Sequence, residues 1–543
     1  MIKKILPIAV LSMFVALLLP FSASAQGQSE EHRAEISNAV RSDKSQRPLR
    51  DEVDPPTPSV PRGGRDFEPG RPQAVGNTNP STVDPLAQLS MGSSAAVTEP
   101  RVSTTGVGVD PNARVAPPDT TGDLGPNHYV QWVNSRYAIY TLTRDANKAI
   151  TDFNAVPGFP KNGNAVFAGM NSRCATTNDG DPIVQYDQMA DRWVLTQFVA
   201  GSSPYLQCVA VSTTPDPTGT YYRYEFSYGN DFNDYGKMGV WSDSYVMTFN
   251  MFRRARSFVG NRVCAYERSK MLLGQTARQI CSQTSSSYGS LLPADIEGAN
   301  LPAAGTALPL LSITSSTLLS WKFAVNWTAG TGTLTGPTTV TGVATFSRAC
   351  GGGTCIPQPG VTQLIDSLAD RLMYRLSYRK FADGHESLLV NHSVANAGTT
   401  AVRWYELRNA AGNTISAATP VVYQQGTHAP TPDYRWMGSA AMDKTGGIAI
   451  GYNISNKTNL NPSIRYAGRG PADPLGVLGA EGGLLTGPGV QTGNNLSRWG
   501  DYSTLNVDPV DGCTMVFTTE FIPSNGSFNW STHIGSFKLS TCQ

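Results

Sequence analysis

The chain has 543 residues, of which 40% are hydrophobic and 15% are charged, and its 42 Lys and Arg residues nearly balance 41 Asp and Glu residues. The formal net charge of +1 gives no overall basic field, so composition argues against nucleic acid and against anionic membranes as partners. With 53 Gly and 37 Pro residues, the chain is expected to contain many turns.

The first 25 residues (1–25) have the three parts of an export signal. Lys3 and Lys4 form a charged start, Ile5 to Phe21 form an apolar stretch, and Ala23-Ser24-Ala25 forms a small-residue cleavage site. No later stretch approaches the ~20 apolar residues that a membrane span needs. The sequence therefore predicts a secreted or periplasmic protein with no transmembrane segment after signal cleavage.

Residues 26–103 are polar, rich in Pro and Gly, and of mixed charge, as in "RDEVDPPTPSVPRGGRDFEPGRP". Such a segment buries too little apolar surface to offset the entropy that is lost on ordering. We therefore predict a disordered leader over residues 26–103 and a folded domain over residues 104–543.

All eight cysteines lie in the predicted folded domain, which fits an exported protein because disulfides persist in oxidising compartments. Many connectivities are open, and a preference for local closure favours sequential pairing. The pairs predicted in this way are Cys174 with Cys208, Cys264 with Cys281, Cys350 with Cys355, and Cys513 with Cys542. A zinc site is the alternative, but the chain has no C-x-x-C pair and its six His do not cluster with Cys.

Short runs of β-forming residues, separated by turn clusters, fill the folded domain. Between residues 181 and 228 the runs are "DPIVQYDQM", "RWVLTQFVA", "YLQCVAVSTT" and "YYRYEFSYG", which predict a four-stranded antiparallel meander. Similar units begin at "RLMYRLSYRKF" and at Gly438, and a unit with only three runs begins at Asp501. Less regular units cover residues 127–153, 237–282 and 308–346.

Sheets of four strands that repeat every ~50 to 65 residues indicate a β-propeller. We predict an all-β fold, a propeller of seven four-stranded blades. An N-terminal strand from "TTGVGVDPNARVAP" is expected to complete the last blade and to close the ring, which removes a free sheet edge. Six or eight blades, or a pair of β-sandwiches, are the structural alternatives.

Two stretches, "YRWMGSAAMD" and "SRWGDYSTLNVD", share Arg-Trp, a following Gly and a final Asp. We interpret them as the entrances to the innermost strands of consecutive blades, where Gly permits close backbone approach and Asp443 or Asp508 opens the next turn. Their Trp residues can pack between blades and their Arg residues can be hydrogen-bonded structural cations. Alternatively, these four residues bind substrate: Arg435, Arg498, Trp436 and Trp499.

Several stretches, among them "GHESLLVNHSVA", "VRWYELRN", "RWMGSAAMDKTGGIAIGYN" and "RWGDYSTLNVDPVDGCTMVFTTEF", resemble a family of exported bacterial β-propeller proteins usually left as hypothetical. The resemblance extends from about Pro117 to the C-terminus and implies no activity. More distantly, the layout is similar to that of sialidase-type propellers. However, "SAAMDKTGGIAI" keeps only a Ser, an Asp and a Gly of the sialidase S-x-D-x-G-x-x-W box.

In propellers, the loops that enter the innermost strands converge on one face around the axis, where ligands usually bind. Charged residues occupy the predicted entrances: Asp119, Asp123, Asp179, Asp181, Asp234, Lys237, Asp295, Glu297, Asp433, Arg435, Arg498 and Asp501.

We interpret Asp119, Asp181 and Asp501 as candidate catalytic carboxylates for glycoside cleavage, with the arginines holding an anionic group. Asp179 and Asp181 are candidate ligands for Ca²⁺, whose preferred ligands are oxygens. The alternative is that Asp residues at loop entrances only make turns and caps.

The sequence thus predicts an exported protein that recognises an extracellular anionic polysaccharide through the strand-entrance face. A further hypothesis is that the protein also hydrolyses this polysaccharide. The alternative is a non-catalytic surface or matrix platform whose partner is a surface protein. One further stretch, "MFRRARSFVGNR", places four arginines in a predicted loop, either as a basic patch for an acidic polymer or as a solvated loop.

Overall fold

In the computed structural model of the protein, the described residues are 30–55, 79–92, 101–110, 114–409, 414–415, 418–493 and 496–543. The predicted signal at residues 1–25 lies outside them. Among the described residues, no helix has the length and apolarity that crossing a membrane would need.

Strands dominate the described part of the chain, which confirms the all-β class. Its two α-helices have four residues each, and 3-10 turns provide the remaining helical structure. The α-helices are α1 (Arg173–Thr176) and α2 (Arg268–Met271), and the 3-10 turns are Leu49–Asp51, Gly163–Phe167 and Ala349–Gly352.

Short strands precede the main body of the fold. They are β1 (Glu30–Arg33), β2 (Glu35–Asn38), β3 (Arg41–Lys44), β4 (Ala87–Gln88) and β5 (Val102–Thr105). Four antiparallel meanders then follow in chain order. Meander 1 contains β6 (Thr121–Leu124), β7 (His128–Val133), β8 (Arg136–Arg144), β9 (Ile150–Ala155) and β10 (Lys161–Asn162). Meander 2 contains β11 (Ile183–Asp187), β12 (Arg192–Val199), β13 (Tyr205–Ser212) and β14 (Tyr221–Gly229).

The next two meanders have four main strands each. Meander 3 contains β15 (Asp231–Val240), β16 (Ser244–Arg253), β17 (Ser257–Glu267) and β18 (Arg278–Gln283). Meander 4 contains β19 (Leu292–Glu297), β20 (Leu308–Ile313), β21 (Leu318–Asn326) and β22 (Thr331–Thr339). A small hairpin of β23 (Thr354–Ile356) and β24 (Ile365–Asp366) separates meander 4 from meander 5.

Three more meanders complete the described chain. Meander 5 contains β25 (Met373–Lys380), β26 (Glu386–Asn396), β27 (Thr399–Arg408) and β28 (Val421–His428). Meander 6 contains β29 (Tyr434–Met442), β30 (Ile448–Ser455), β31 (Ser463–Arg469) and β32 (Gly482–Leu485). Meander 7 contains β33 (Thr504–Val507), β34 (Thr514–Phe521) and β35 (Ser531–Lys538).

The first strands of successive meanders lie next to one another, in the order β6, β11, β15, β19, β25, β29 and β33, and β33 also contacts β6. β19 and β25 pair in parallel, which joins meanders 4 and 5 into one ten-stranded sheet. The N-terminal ends of these first strands therefore lie on one side of the molecule, which we call the entrance side.

The segment predicted as a disordered leader, residues 26–103, is ordered in its described parts, contrary to that prediction. β1, β2 and β3 pair with the outer strands β22, β18 and β14, and β4 pairs with β28. The physical reason is that an outer strand presents unpaired N–H and C=O groups, and a polar segment can satisfy them through its backbone without an apolar side chain. β5 pairs with β35 and completes meander 7, as predicted for an N-terminal strand, but it begins two residues before the predicted segment 104–117.

Apolar side chains pack between neighbouring meanders. Trp132 of meander 1 and Trp193 of meander 2 belong to one buried cluster, and Trp404 and Tyr452 join meanders 5 and 6 in another. Because the central strands are covered on both faces, β13 reads as a nearly continuous apolar run and is buried throughout.

The four disulfides are the sequential pairs that the sequence predicted, which confirms that prediction: Cys174–Cys208, Cys264–Cys281, Cys350–Cys355 and Cys513–Cys542. No described cysteine is free. Four disulfides indicate folding in an oxidising compartment.

Candidate functional site

Three predicted carboxylates stand immediately before first strands on the entrance side. Asp119 precedes β6, Asp181 precedes β11 and Asp501 precedes β33. Each has a left-handed backbone, with φ values of 51°, 47° and 56°. Such a conformation costs a non-glycine residue about 1 kcal/mol or more and is frequent at functional sites.

A left-handed non-glycine residue lies within or shortly before the first strand of each meander. The residues concerned are Asp119, Asp181, Tyr235, Ser290, Leu368, Met437 and Asp501. This conformation is therefore part of how the chain enters each first strand, and meanders 1, 2 and 7 use this position to present a carboxylate.

The structure brings the three carboxylates together with two cations, and we call Asp119, Asp181, Lys237, Arg498 and Asp501 the entrance cluster. The Arg498 guanidinium forms an ion pair with Asp501, in which Nε donates to Oδ1 at 3.0 Å and Nη2 contacts Oδ2. Asp181 Oδ2 accepts a hydrogen bond from the backbone N–H of Tyr235 at 3.2 Å. The electrostatic fields of Asp181 and Asp501 both act on Asp119.

Lys237 is the buried cation of the entrance cluster and is 1% exposed. Its Nζ lies 3.4 Å from the ring centroid of Tyr235 and 3.9 Å from that of Tyr502, so two aromatic faces hold the ammonium group. Nζ also donates to the carbonyl oxygen of Gly236 at 3.1 Å. The Tyr502 hydroxyl in turn donates to Pro182 at 3.1 Å, which fixes that ring.

Burial shifts the titration of the cluster in opposite directions for acid and base. The pKa of Asp119 is raised well above its ordinary value, first by burial and then by the negative charges of Asp501 and Asp181. For Lys237, burial has the opposite effect and lowers the pKa to about 8, although the negative charges of Asp181 and Asp119 act to raise it. Burial and the charges of its neighbours thus favour the protonated form of Asp119, whereas Asp501 is paired with the Arg498 guanidinium.

A fourth acidic residue lies behind Asp501. Glu520 of β34 is fully buried, and its Oε2 accepts a hydrogen bond from the backbone N–H of Gly500 at 2.7 Å. Burial raises the pKa of Glu520 well above its ordinary value. This contact holds the turn that carries Asp501 in place.

Deeper along the first strands lies a second buried group, the axial network of Asp123, Asp295, Glu297, Arg375 and Arg379. Arg375 Nη1 is 3.6 Å from Asp123 Oδ1, and Nη2 contacts Asp295 Oδ2 and lies 3.4 Å from Glu297 Oε1. Arg379 Nη2 lies 3.7 Å from Glu297 Oε2.

Two carboxylates of the axial network also join neighbouring first strands. Asp123 Oδ2 accepts a hydrogen bond from Tyr186 N, and Asp295 Oδ1 accepts one from Val240 N, both at 2.8 Å. For Asp123, Asp295 and Glu297, these contacts favour the alternative of a structural role.

The titration of Glu297 is expected to make the free energy of unfolding depend on pH. Burial raises its pKa from 4.5 to about 7, although Arg379 opposes the shift. Between these two values the folded protein binds more protons than the unfolded chain, so stability falls as pH rises through this window, by about 3 kcal/mol in all. Urea unfolding at about pH 5 and about pH 8 measures the loss. Other buried acids add to it, so the Glu297→Gln variant is the control, and an equal loss in that variant would contradict the assignment to Glu297.

The Arg-Trp repeat does not form the predicted substrate-binding site. Arg435 is fully buried, and its Nε and Nη2 donate to Glu481 at 2.8 and 3.0 Å. Trp436 and Trp499 are at most 1% exposed and pack edge to face with ring centroids 5.7 Å apart. The prediction that these three residues bind substrate is therefore wrong, because their surfaces are already covered by protein.

Of the four predicted substrate-binding residues, Arg498 lies in the entrance cluster. The turn role predicted for Asp443 and Asp508 is confirmed. Asp443 Oδ1 accepts from the N–H groups of Thr445 and Gly447, and Asp508 Oδ1 accepts from that of Val510, at 2.8 to 3.0 Å.

The structure does not support the predicted Ca²⁺ site. Asp179 Oδ2 accepts hydrogen bonds from the N–H groups of Ala200 and Gly201, at 2.7 and 3.3 Å, so it caps a loop. Asp181 faces Lys237, a cation that disfavours a nearby metal ion. Across the described ranges, no group of three or more His, Cys, Asp or Glu residues is placed to hold a metal ion.

Sequence reasoning missed the two tyrosines and Arg371, whose guanidinium carbon lies 4.3 Å from the ring centroid of Tyr235. A signal for the tyrosines was present. Tyr235 in "NDYGK" and Tyr502 in "GDYST" each follow an Asp near the entrance of a first strand.

No protein-family model matches the chain, and no curated protein matches it. Among solved structures, a protein of unknown function from Dyadobacter fermentans has a TM-score of 0.34 at 10% identity, over 66% of this chain and 94% of that one. An α-L-arabinanase from Penicillium chrysogenum, complexed with arabinobiose, has a TM-score of 0.36 at 8% identity, over 67% and 97%. A sialidase from Trypanosoma rangeli has a TM-score of 0.32 at 11% identity, over 73% and 57%. Similarities this low carry no conclusion about the activity of this chain.

Proposed function

We propose that the seven meanders are the blades of a β-propeller that β5 closes. The cyclic order of the first strands, with β33 beside β6, supports this arrangement. An ion pair between meanders 7 and 1 supports it as well, because Arg144 donates to both oxygens of Asp508 at 2.5 and 2.9 Å. In a ring of this kind, the entrance side is the expected functional face.

On this face, we propose that the entrance cluster binds an extracellular polysaccharide with anionic groups and hydrolyses it. The carrying observation is the convergence of Asp119, Asp181 and Asp501 with Lys237 and Arg498 from four different meanders. Glycoside hydrolysis needs one protonated carboxyl and one ionised carboxylate in the same site, and environments that separate their pKa values provide both.

The roles follow from the surroundings of each group. Asp119, whose pKa burial raises, is the general acid that protonates the glycosidic oxygen. Asp501, in its ion pair with Arg498, is the carboxylate that serves as base or nucleophile. Arg498, whose side chain is 16% exposed, supplies positive charge toward anionic groups of the sugar, and buried Lys237 balances the charge of the carboxylates.

We propose that the protein acts in the periplasm or outside the cell, after export. The four disulfides support an oxidising compartment. The signal pattern of residues 1–25 supports the route.

The second candidate function is a non-catalytic platform that holds a surface protein or a matrix polymer. The axial network favours it, because Arg375 is only 4% exposed and pairs with carboxylates of the first strands β6 and β19. A ligand would then contact only the outer end of the ring.

A polysaccharide screen separates the two functions. The exported protein is incubated with neutral, carboxylated and sulfated polysaccharides, and the release of reducing ends and binding to a glycan array are both measured. Asp501→Asn is the test variant. Asp179→Asn is the matched control, because Asp179 caps a loop through the backbone N–H groups of Ala200 and Gly201. Release that Asp501→Asn removes and Asp179→Asn retains supports hydrolysis. Binding without release supports the platform, and neither binding nor release contradicts the polysaccharide proposal.

A further inference from the structure

The arginine-rich stretch of the sequence forms a tight turn on the entrance side. Residues 253–256, which we call the arginine turn, join β16 to β17. Arg253 is the register partner of Asp231 at the start of β15, and β15 begins on the entrance side. The same strand carries Lys237 of the entrance cluster, so meander 3 contributes to both features.

The backbone of the arginine turn is unusual. Arg256 N donates to Arg253 O at 3.0 Å, and the two central residues, Arg254 and Ala255, have φ values of 51° and 53°. Hairpin turns with two such residues normally carry Asn or Gly, because larger side chains are strained there. This sequence keeps an arginine at a position where glycine would be more stable.

Aromatic packing holds the turn from below. The rings of Phe252 and Phe258 lie 5.5 Å apart on either side of it. Phe252 belongs to a buried cluster with Phe198 and Tyr205 of meander 2 and Phe232 of β15. The arginines therefore project from a rigid base, which lowers the entropy that a bound ligand must offset.

The three arginines of the turn are exposed, and no described residue is a counter-ion to them. Arg253, Arg254 and Arg256 form no side-chain hydrogen bond or ion pair with any described residue. In contrast, Arg262, from the same stretch, donates to Gln283 at 2.9 Å. Three adjacent guanidinium groups repel one another, and an anionic ligand with repeated charges would relieve that repulsion.

We propose that the arginine turn is a binding subsite for the carboxylate or sulfate groups of a polyanionic polysaccharide. It rests on the proposed function for the class of ligand, and it holds whether or not the entrance cluster cleaves the polymer. Polysaccharide is favoured over nucleic acid because the chain as a whole has a net charge of only +1.

Binding measurements on two triple variants test the proposal. The first replaces Arg253, Arg254 and Arg256 by Gln. The matched control replaces three exposed lysines on the opposite side, where the other ends of the meander strands lie: Lys148, Lys270 and Lys444. Both variants lose three positive charges. The probes are polygalacturonate, heparin, neutral dextran and duplex DNA, measured by surface plasmon resonance.

The arginine variant should bind polygalacturonate or heparin about tenfold more weakly than wild type, and the lysine variant should stay within about twofold. Added salt should reduce the difference, because the contacts are exposed. Equal affinity of wild type and the arginine variant would overturn the subsite. In that case the proposed function would still stand if Asp501→Asn weakened binding, because the entrance cluster would then bind the polymer without the arginine turn. Wild type that binds no polyanion overturns both proposals, and tighter binding to DNA overturns the assignment to polysaccharide.

Discussion

Replacing Arg375 by methionine is expected to lower the free energy of unfolding by about 4 kcal/mol, since removing one partner of a buried ion pair leaves an uncompensated charge. Arg375 is 4% exposed and lies among Asp123, Asp295 and Glu297. These carboxylates come from β6 and β19, so one guanidinium joins β25 to the first strands of two other meanders. Methionine keeps much of the length of the side chain and removes the charge.

A double-mutant cycle tests whether the charge is responsible. In a Glu297→Gln background, one carboxylate is already neutral, so Arg375→Met should cost less there, and the two losses should not add. Urea unfolding of the four proteins measures this coupling. Strictly additive losses would show that Arg375 acts through packing alone and would contradict the proposed electrostatic role.

The strands and the disulfides were predictable because their causes are local. Runs rich in Val, Tyr and Phe between turn residues mark β12 and β13 directly, and cysteines close in sequence pair with each other. The entrance carboxylates were predictable for a similar reason. Asp119, Asp181 and Asp501 each stand just before a short β-forming run, at the position where the chain turns inward.

The Arg-Trp repeat shows where a local pattern fails. Met437 and Asp501 both have the left-handed backbone, but Trp436 directly precedes Met437, whereas Gly500 separates Trp499 from Asp501. The extra residue leaves Arg498 beside the carboxylate. Arg435 lies within β29 instead and pairs with Glu481, a partner 46 residues away that no sequence spacing reveals.

The order of residues 30–44 could not be predicted from composition. Their side chains are mostly exposed, and their stability comes from backbone pairing with strands up to about three hundred residues away in sequence. Composition rules weigh apolar burial, so they do not register a segment that is held by the edge of another sheet.

Asp119→Asn is expected to lower the rate of polysaccharide hydrolysis by about 10²- to 10⁴-fold, the usual contribution of a general acid, without destabilising the protein. Burial and two neighbouring carboxylates raise the pKa of Asp119 in the folded state above the ordinary value of 3.8. The unfolded chain therefore loses this proton first, and stability falls as pH rises from 3.8 toward the folded-state pKa. Asparagine has no proton to lose and removes this penalty, so unfolding at neutral pH should need as much urea as wild type or more.

Asp501→Asn should reduce hydrolysis as strongly as Asp119→Asn does. Unlike that variant, it should destabilise the protein, because it breaks the ion pair with Arg498, whose side chain is 16% exposed. Reducing-end release and urea unfolding, measured together at neutral pH, thus distinguish an acid whose pKa is raised by burial from a carboxylate held by a cation. If both variants unfolded as predicted while wild type cleaved no polysaccharide, the entrance cluster would be a structural feature of a binding platform. If Asp119→Asn retained full hydrolysis, the proton would have to come from another acid, and Glu520, buried behind Asp501, would be the next to replace.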